Sequence, residues 1–174
     1  GIDFNEDTDM SRFSMRTLMG TPSMKVIADH GVQEEPYTHR RYQSINTEIL
    51  GQIIKNATGR SLAEYMEEKL WKRIGAEQDA YWTLSNGTEL AMGGFRDYAR
   101  FARLYLNGGS FHGEQILTKE WVRDSMDVSA AYSRPGANQD VYNAIGYGYQ
   151  WWVPEGDRGE FMAIGVYGQW MYAD

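Results

Sequence analysis

Apolar residues recur every four positions at Ile45, Ile49, Ile53 and Ala57 and stop at Gly59, which predicts an amphipathic helix closed by a glycine just past its end. Asn46 reads as its cap. Ser61-Leu62-Ala63-Glu64 then has capping-box spacing: the serine accepts from the Glu64 amide and the glutamate reaches back. A second helix therefore starts at Ser61, turns Leu62, Tyr65, Met66 and Leu70 inward, and ends short of Gly75. The tight Gly59-Arg60 link makes these two helices neighbours. A third helix is predicted from Arg96 to Asn107, with Tyr98, Phe101, Ala102 and Tyr105 on one stripe and Gly108-Gly109 as its stop. A fourth begins at Thr118 and carries Trp121, Val122 and Met126.

On either side the pattern differs. From Gly1 to Arg41 the chain is irregular and polar, broken by Pro22 and Pro36, with room for one short helix from Met10 to Met19. After Pro135 it turns aromatic and β-branched, predicting strands over 147–153, 161–166 and 169–172. Pro154 to Gly159 supplies turn chemistry for a hairpin between the first two. Helices followed by a sheet make an α+β arrangement, read as a connecting region (1–41), a helical region (42–134) and sheet strands (135–174).

The 174 residues, 42% hydrophobic and 24% charged, match ordinary globular usage. A net charge of -7 offers no basic face for phosphates, so nucleic acid is not an expected partner. The absence of cysteine rules out disulfides and leaves the compartment open. No apolar stretch reaches the roughly 20 residues of a membrane span, and the acidic start is unlike a signal peptide. That start lacks a methionine, and Trp170 to Asp174 ends inside a strand-like run, so the chain reads as a piece of something longer.

His30, His39 and His112 stand apart from one another and from ligand-spaced carboxylates, and no glycine-rich phosphate loop occurs, so neither metal nor cofactor is expected. Tyr42-Gln43-Ser44-Ile45-Asn46 is different. It sets a tyrosine and two small polar side chains ahead of a helix whose first-turn amides favour a developing anion. Beside another basic group, a phenol there can relay a proton between nucleophile and leaving group if its resting pKa is lowered. The same residues also fit a packing role, with Tyr42 buried and Ser44 or Asn46 only capping. Of the adjacent Trp151 and Trp152, which point to opposite sheet faces, at most one can line a cleft.

The stretch from Tyr42 through Tyr65 resembles the tyrosine motif and following helices of class C β-lactamase-like serine hydrolases. The spacing Tyr42-x-Ser44-x-Asn46, the run Met92-Gly93-Gly94-Phe95-Arg96-Asp97, and Tyr149-Gln150-Trp151-Trp152 followed by Gly165-Val166-Tyr167-Gly168-Gln169 are similar to the 6-aminohexanoate-dimer hydrolase branch. The resemblance runs from Tyr42 to Asp174 and is weak before it. It implies a β-lactamase/transpeptidase-like fold and attack on a small amide or ester by a serine of a Ser-x-x-Lys turn. By the same resemblance Tyr42 shuttles the proton, the Val166 amide donates to the oxyanion, and Ser44, Asn46, Trp151, Tyr167 and Gly168 bind substrate.

Two departures qualify this. The family's Lys-Thr-Gly triad is absent, so the charge that would recognise a β-lactam carboxylate is missing, which favours a short linear amide. No lysine has a serine three residues before it, so the nucleophile is expected in an N-terminal half outside these residues, and this piece alone is expected to be inert. Two other readings stand beside the hydrolase: a non-catalytic ligand-binding module on the same fold, and a helical interaction domain whose tail pairs with a partner strand.

Overall fold

The computed structural model describes the backbone of residues 1–85, 88–92, 95–137, 144–165 and 168–174, and the side chains of these residues outside 83–95. The chain divides into two compact units, Gly1–Glu68 with Asp79–Gly93, and Lys69–Gln78 with Gly94–Asp174. The helices of residues 42–134 fall in both units.

In the first unit the polar start holds more order than its composition suggests. Helix α1 (Glu6–Leu18) begins on Asn5, whose side chain accepts from the Asp7 and Thr8 amides, and α2 (Ser23–Ile27) follows after Pro22. Helix α3 (Ile45–Thr58) ends as predicted, with Gly59 in the left-handed region at φ 67° and its amide donating to the Lys55 carbonyl. Phe4, Ile27 and Ile45 form the buried core, with Ile2, Met10, Phe13, Met24 and Ile49 packed around it.

The predicted α3 stripe only half holds: Ile45 is 1% exposed and Ile53 is 55%. Steps of four residues advance about 40° beyond a full turn, so the stripe rotates out of the core within two steps. Helix α4 (Leu62–Met66) carries the complete Ser61–Glu64 capping box and runs into a single π-helical turn at Glu67–Trp71. Leu62, Tyr65, Met66 and Leu70 are half-buried rather than buried. Strands β1 (Tyr81–Ser85) and β2 (Thr88–Met92) form an antiparallel hairpin in a region read from sequence as helical. Asn86-Gly87, the strongest dipeptide signal for a two-residue hairpin, was the overlooked clue.

In the second unit, helices α5 (Phe95–Leu106) and α6 (Lys119–Met126) cover one face of a four-stranded antiparallel sheet. Between them lies a short hairpin of β3 (Ser110–Phe111) and β4 (Glu114–Gln115). The sheet runs in chain order through β5 (Ile145–Tyr147), β6 (Trp152–Pro154), β7 (Phe161–Ile164) and β8 (Trp170–Ala173). Ala102 and Tyr105 from α5 and Val122 from α6 meet Trp151, Phe161 and Ala173. Trp121, expected on the inward stripe of α6, is instead 49% exposed, with its ring 5.4 Å from Tyr149.

The single strand predicted over 147–153 is two strands, paired Tyr147 to Trp152. The fold-back has a steric cause. At Gly148 an added Cβ would lie 2.1 Å from the Ser125 carbonyl oxygen, which also accepts from the Tyr149 amide at 2.8 Å. Gln150 takes a positive φ of 68° to complete the turn.

One buried carboxylate organises the start of α5. Asp97, fully buried, accepts from the Glu77 and Gln78 amides at 2.9 and 3.3 Å and from the Arg100 guanidinium at 2.9 Å. Asp97→Ala takes the acceptor from these part-buried donors and is expected to cost about 1–3 kcal/mol in urea unfolding. Arg100 also pairs with Glu77 and holds its carboxyl below the ordinary value. A depressed folded pKa adds stability that is fully present above the unfolded value and lost as pH falls through the folded one. Glu77→Gln should therefore flatten the acid side of the stability-against-pH curve below about pH 4.5, with little change in its shape above pH 6.

Candidate functional site

The tyrosine segment sits where three stretches of the first unit converge. Gln43 is 8% exposed, and its side-chain amide donates to the Ile2 carbonyl at 3.0 Å and the Phe4 carbonyl at 2.7 Å. Glu6, in the first turn of α1, accepts from the Ser44 amide at 2.9 Å and from the Ser44 hydroxyl. The neighbouring Ile45 is locked in the core. Tyr42 precedes this clamp by one residue and is 38% exposed.

The helix start differs from the expectation in one detail. Ser44, not Asn46, occupies the N-cap position, and no side-chain cap of its own closes the turn. Glu6, 38 residues away, satisfies the Ser44 amide instead, and the Thr47 amide turns back to the Ser44 carbonyl at 3.2 Å. Asn46 lies one residue inside the helix, exposed, with its amide donating to the Gln43 carbonyl at 3.1 Å. A second carboxylate in the same turn, Glu48, accepts from the buried Ser23 hydroxyl at 2.6 Å. Glu6 and Glu48 thus place two negative groups at the positive end of α3, the favourable arrangement for a helix dipole. Sequence reasoning missed Glu6, Gln43 and Ser23, because contacts across such separations leave no local periodicity.

Of the expected residues in the second unit, Val166 and Tyr167 lie outside the described residues. Gly168 follows β7 at φ 79°, exposed, with its amide donating to the Gly165 carbonyl at 3.1 Å. Gly165 in turn donates to the Gln169 carbonyl at 2.7 Å. A Cβ at Gly165 would fall 2.4 Å from the Gln169 side-chain oxygen, so a larger residue there would make the end of that flexible side chain shift.

Trp151 is placed differently from the expectation. At 4% exposure it is a core ring, 4.8 Å from Tyr105 and 4.9 Å from Phe161 edge-on, and stacked on Phe101 at 5.8 Å. Strand alternation sends Trp152 to the other face, where it is 3% exposed with its ring 4.4 Å from Tyr147. The edge strand β8 carries the exposed aromatics instead, with Trp170 at 65% and Tyr172 at 51%. Tyr172 donates its hydroxyl proton to Glu160, which lowers the Glu160 carboxyl and raises the phenol.

His30 Nδ1 lies 2.8 Å from the Asp3 carbonyl, and His39 pairs with Glu34. Among the described residues no three His, Cys, Asp or Glu side chains gather as a metal site requires, and no helix is long and apolar enough to cross a membrane.

Comparison with known proteins places this geometry in a wider setting. The beta-lactamase family model matches residues 3–174. A 6-aminohexanoate-dimer hydrolase of Paenarthrobacter ureafaciens is 32% identical over 143 residues, covering 77% of this chain and 36% of the relative. A solved Bacillus anthracis chain assigned as a 6-aminohexanoate-dimer hydrolase superposes with a TM-score of 0.73 at 33% identity, over 87% of this chain and 39% of that one. A Bacteroides dorei chain assigned as a beta-lactamase shares the fold, with a TM-score of 0.62 at 18% identity over 86% of this chain and 50% of that one. The chain thus spans little more than a third of the first two relatives.

The clamp has a direct energetic consequence. Gln43→Ala takes the side-chain donor from the Phe4 carbonyl and leaves the Ile2 carbonyl with the Phe4 amide, and is expected to destabilise by about 1–3 kcal/mol. Urea unfolding followed by tryptophan fluorescence reads this; an unchanged midpoint would show that the clamp does not hold in solution.

Proposed function

The chain belongs to the β-lactamase family, and on that premise we propose that it forms the tyrosine-bearing part of a serine hydrolase that cleaves a small amide or ester through an acyl-enzyme. The observation that carries the proposal is the placement of Tyr42. Tyr42 is 38% exposed, directly ahead of a segment pinned by Gln43 and Glu6 at the positive end of a 14-residue helix.

In the proposed reaction a serine outside residues 1–174, activated by a lysine one helical turn on, attacks the carbonyl carbon. Tyr42 passes the serine proton to the leaving amine or alkoxide. The carbon–nitrogen or carbon–oxygen bond breaks, and water then releases the acyl group from the serine. The Val166 amide is proposed as one donor to the tetrahedral oxyanion. Ser44, Asn46, Tyr167 and Gly168 are proposed to contact substrate. The Ser44 hydroxyl, whose proton is committed to Glu6, would do so as an acceptor. Two relatives named for 6-aminohexanoate-dimer hydrolysis, and the absence of a Lys-Thr-Gly triad, favour a short linear amide over a β-lactam.

The test uses the full-length protein. A fluorophosphonate should label a serine upstream of Gly1, and Tyr42→Phe should slow amide hydrolysis by about 10²–10⁴-fold without loss of fold. Binding of the substrate with neither labelling nor turnover would favour a non-catalytic module on the same scaffold.

A further inference from the structure

We infer that Glu6 is a positioning residue for the Tyr42 centre, acting through Ser44; the inference rests on the hydrolase reading and names a residue which that reading does not require. Three observations carry it. Glu6 sits in the first turn of α1, whose start is fixed by the Asn5 cap and by the buried Phe4 beside it. Its two carboxylate oxygens take the amide and the hydroxyl of Ser44, so neither Ser44 donor is left to water or to substrate. Ser44 lies two residues from Tyr42, and the residue between them is clamped to the carbonyls on either side of Asp3.

A carboxylate that accepts two hydrogen bonds from one residue fixes both direction and distance, more tightly than a point contact does. It also places its charge at the N-terminal ends of α1 and α3 together, where both dipoles favour it. Loss of this grip frees the Ser44 amide and hydroxyl, and the backbone before Ile45 then pivots about the buried isoleucine. The phenol moves with that backbone. A displacement of about 1 Å at a proton-transfer group is enough to cost up to 10²-fold in rate.

A general weakening of α3 predicts something else, and Ser23 separates the two. The Ser23 hydroxyl bonds Glu48 in the same helix turn, at a carboxylate other than Glu6. In the full-length protein, with the linear dimer of 6-aminohexanoate as probe, Glu6→Ala should lower kcat by between about 10- and 100-fold. KM should stay within about threefold, because the residue does not touch substrate. Glu6→Gln, which keeps an acceptor for the Ser44 amide, should recover part of that loss. Ser23→Ala should lower the unfolding temperature and leave kcat within about twofold. The inference is overturned if Glu6→Ala has wild-type kcat, or if Ser23→Ala reduces kcat as much. Tyr42→Phe in the same assay tells the two failures apart: a slow Tyr42→Phe with a normal Glu6→Ala removes only the positioning role, whereas an unimpaired Tyr42→Phe removes the tyrosine mechanism itself.

Discussion

The Glu6 carboxylate, by taking both the amide and the hydroxyl of Ser44, joins stretches of chain 38 residues apart at the residue before α3. A helix start leaves its first amides without the usual helical partners. Here Glu6, from the first turn of α1, takes the Ser44 amide, and the Asn46 and Thr47 amides turn back to the Gln43 and Ser44 carbonyls. Gln43 adds the reverse contact, donating to the backbone just ahead of Glu6, so the two segments hold each other. The core of Phe4, Ile27 and Ile45 closes beneath them. The backbone position of Tyr42 follows from this mutual hold, since it directly precedes the clamped Gln43.

The second unit is built on a different constraint, the alternation of an antiparallel sheet covered on one face. Trp151, Val153, Phe161, Ala163, Met171 and Ala173 lie toward α5 and α6. Trp152, Met162, Trp170 and Tyr172 belong to the opposite parity. The aromatic run that reads as candidate ligand-binding surface is therefore divided between core and outer face. Trp151 is taken by the core because Tyr105 and Phe161 close around it edge-on, a packing worth more than its area alone.

Locally encoded features were legible in the sequence. The Ser61 capping box, the Gly59 stop, the helix start at Thr118 and the stripe of α5 are each written within a few residues, and each stands in the structure. Long-range features were not. Glu6 and Gln43 look like ordinary polar residues until the fold brings their partners to them. The strand broken at Gly148 failed for a related reason, since the obstacle is a carbonyl of α6 more than twenty residues earlier. The β1–β2 hairpin and the Asn5 cap of α1 are misses with a local signal, the first outweighed by helical patterns on both sides. Family membership was carried by motif spacing around Tyr42 and Gly165, and the comparisons confirm it at that level.

The central claim is that the Tyr42 phenol faces a reactive serine hydroxyl supplied by another stretch of the same polypeptide. A crystal structure of the full-length protein measures this directly. The account predicts Tyr42 Oη within about 3 Å of a serine Oγ that a lysine one helical turn on also approaches, with Glu6 still holding Ser44. A phenol turned away from every such serine, or a full-length chain with no serine–lysine pair at that spacing, would contradict it.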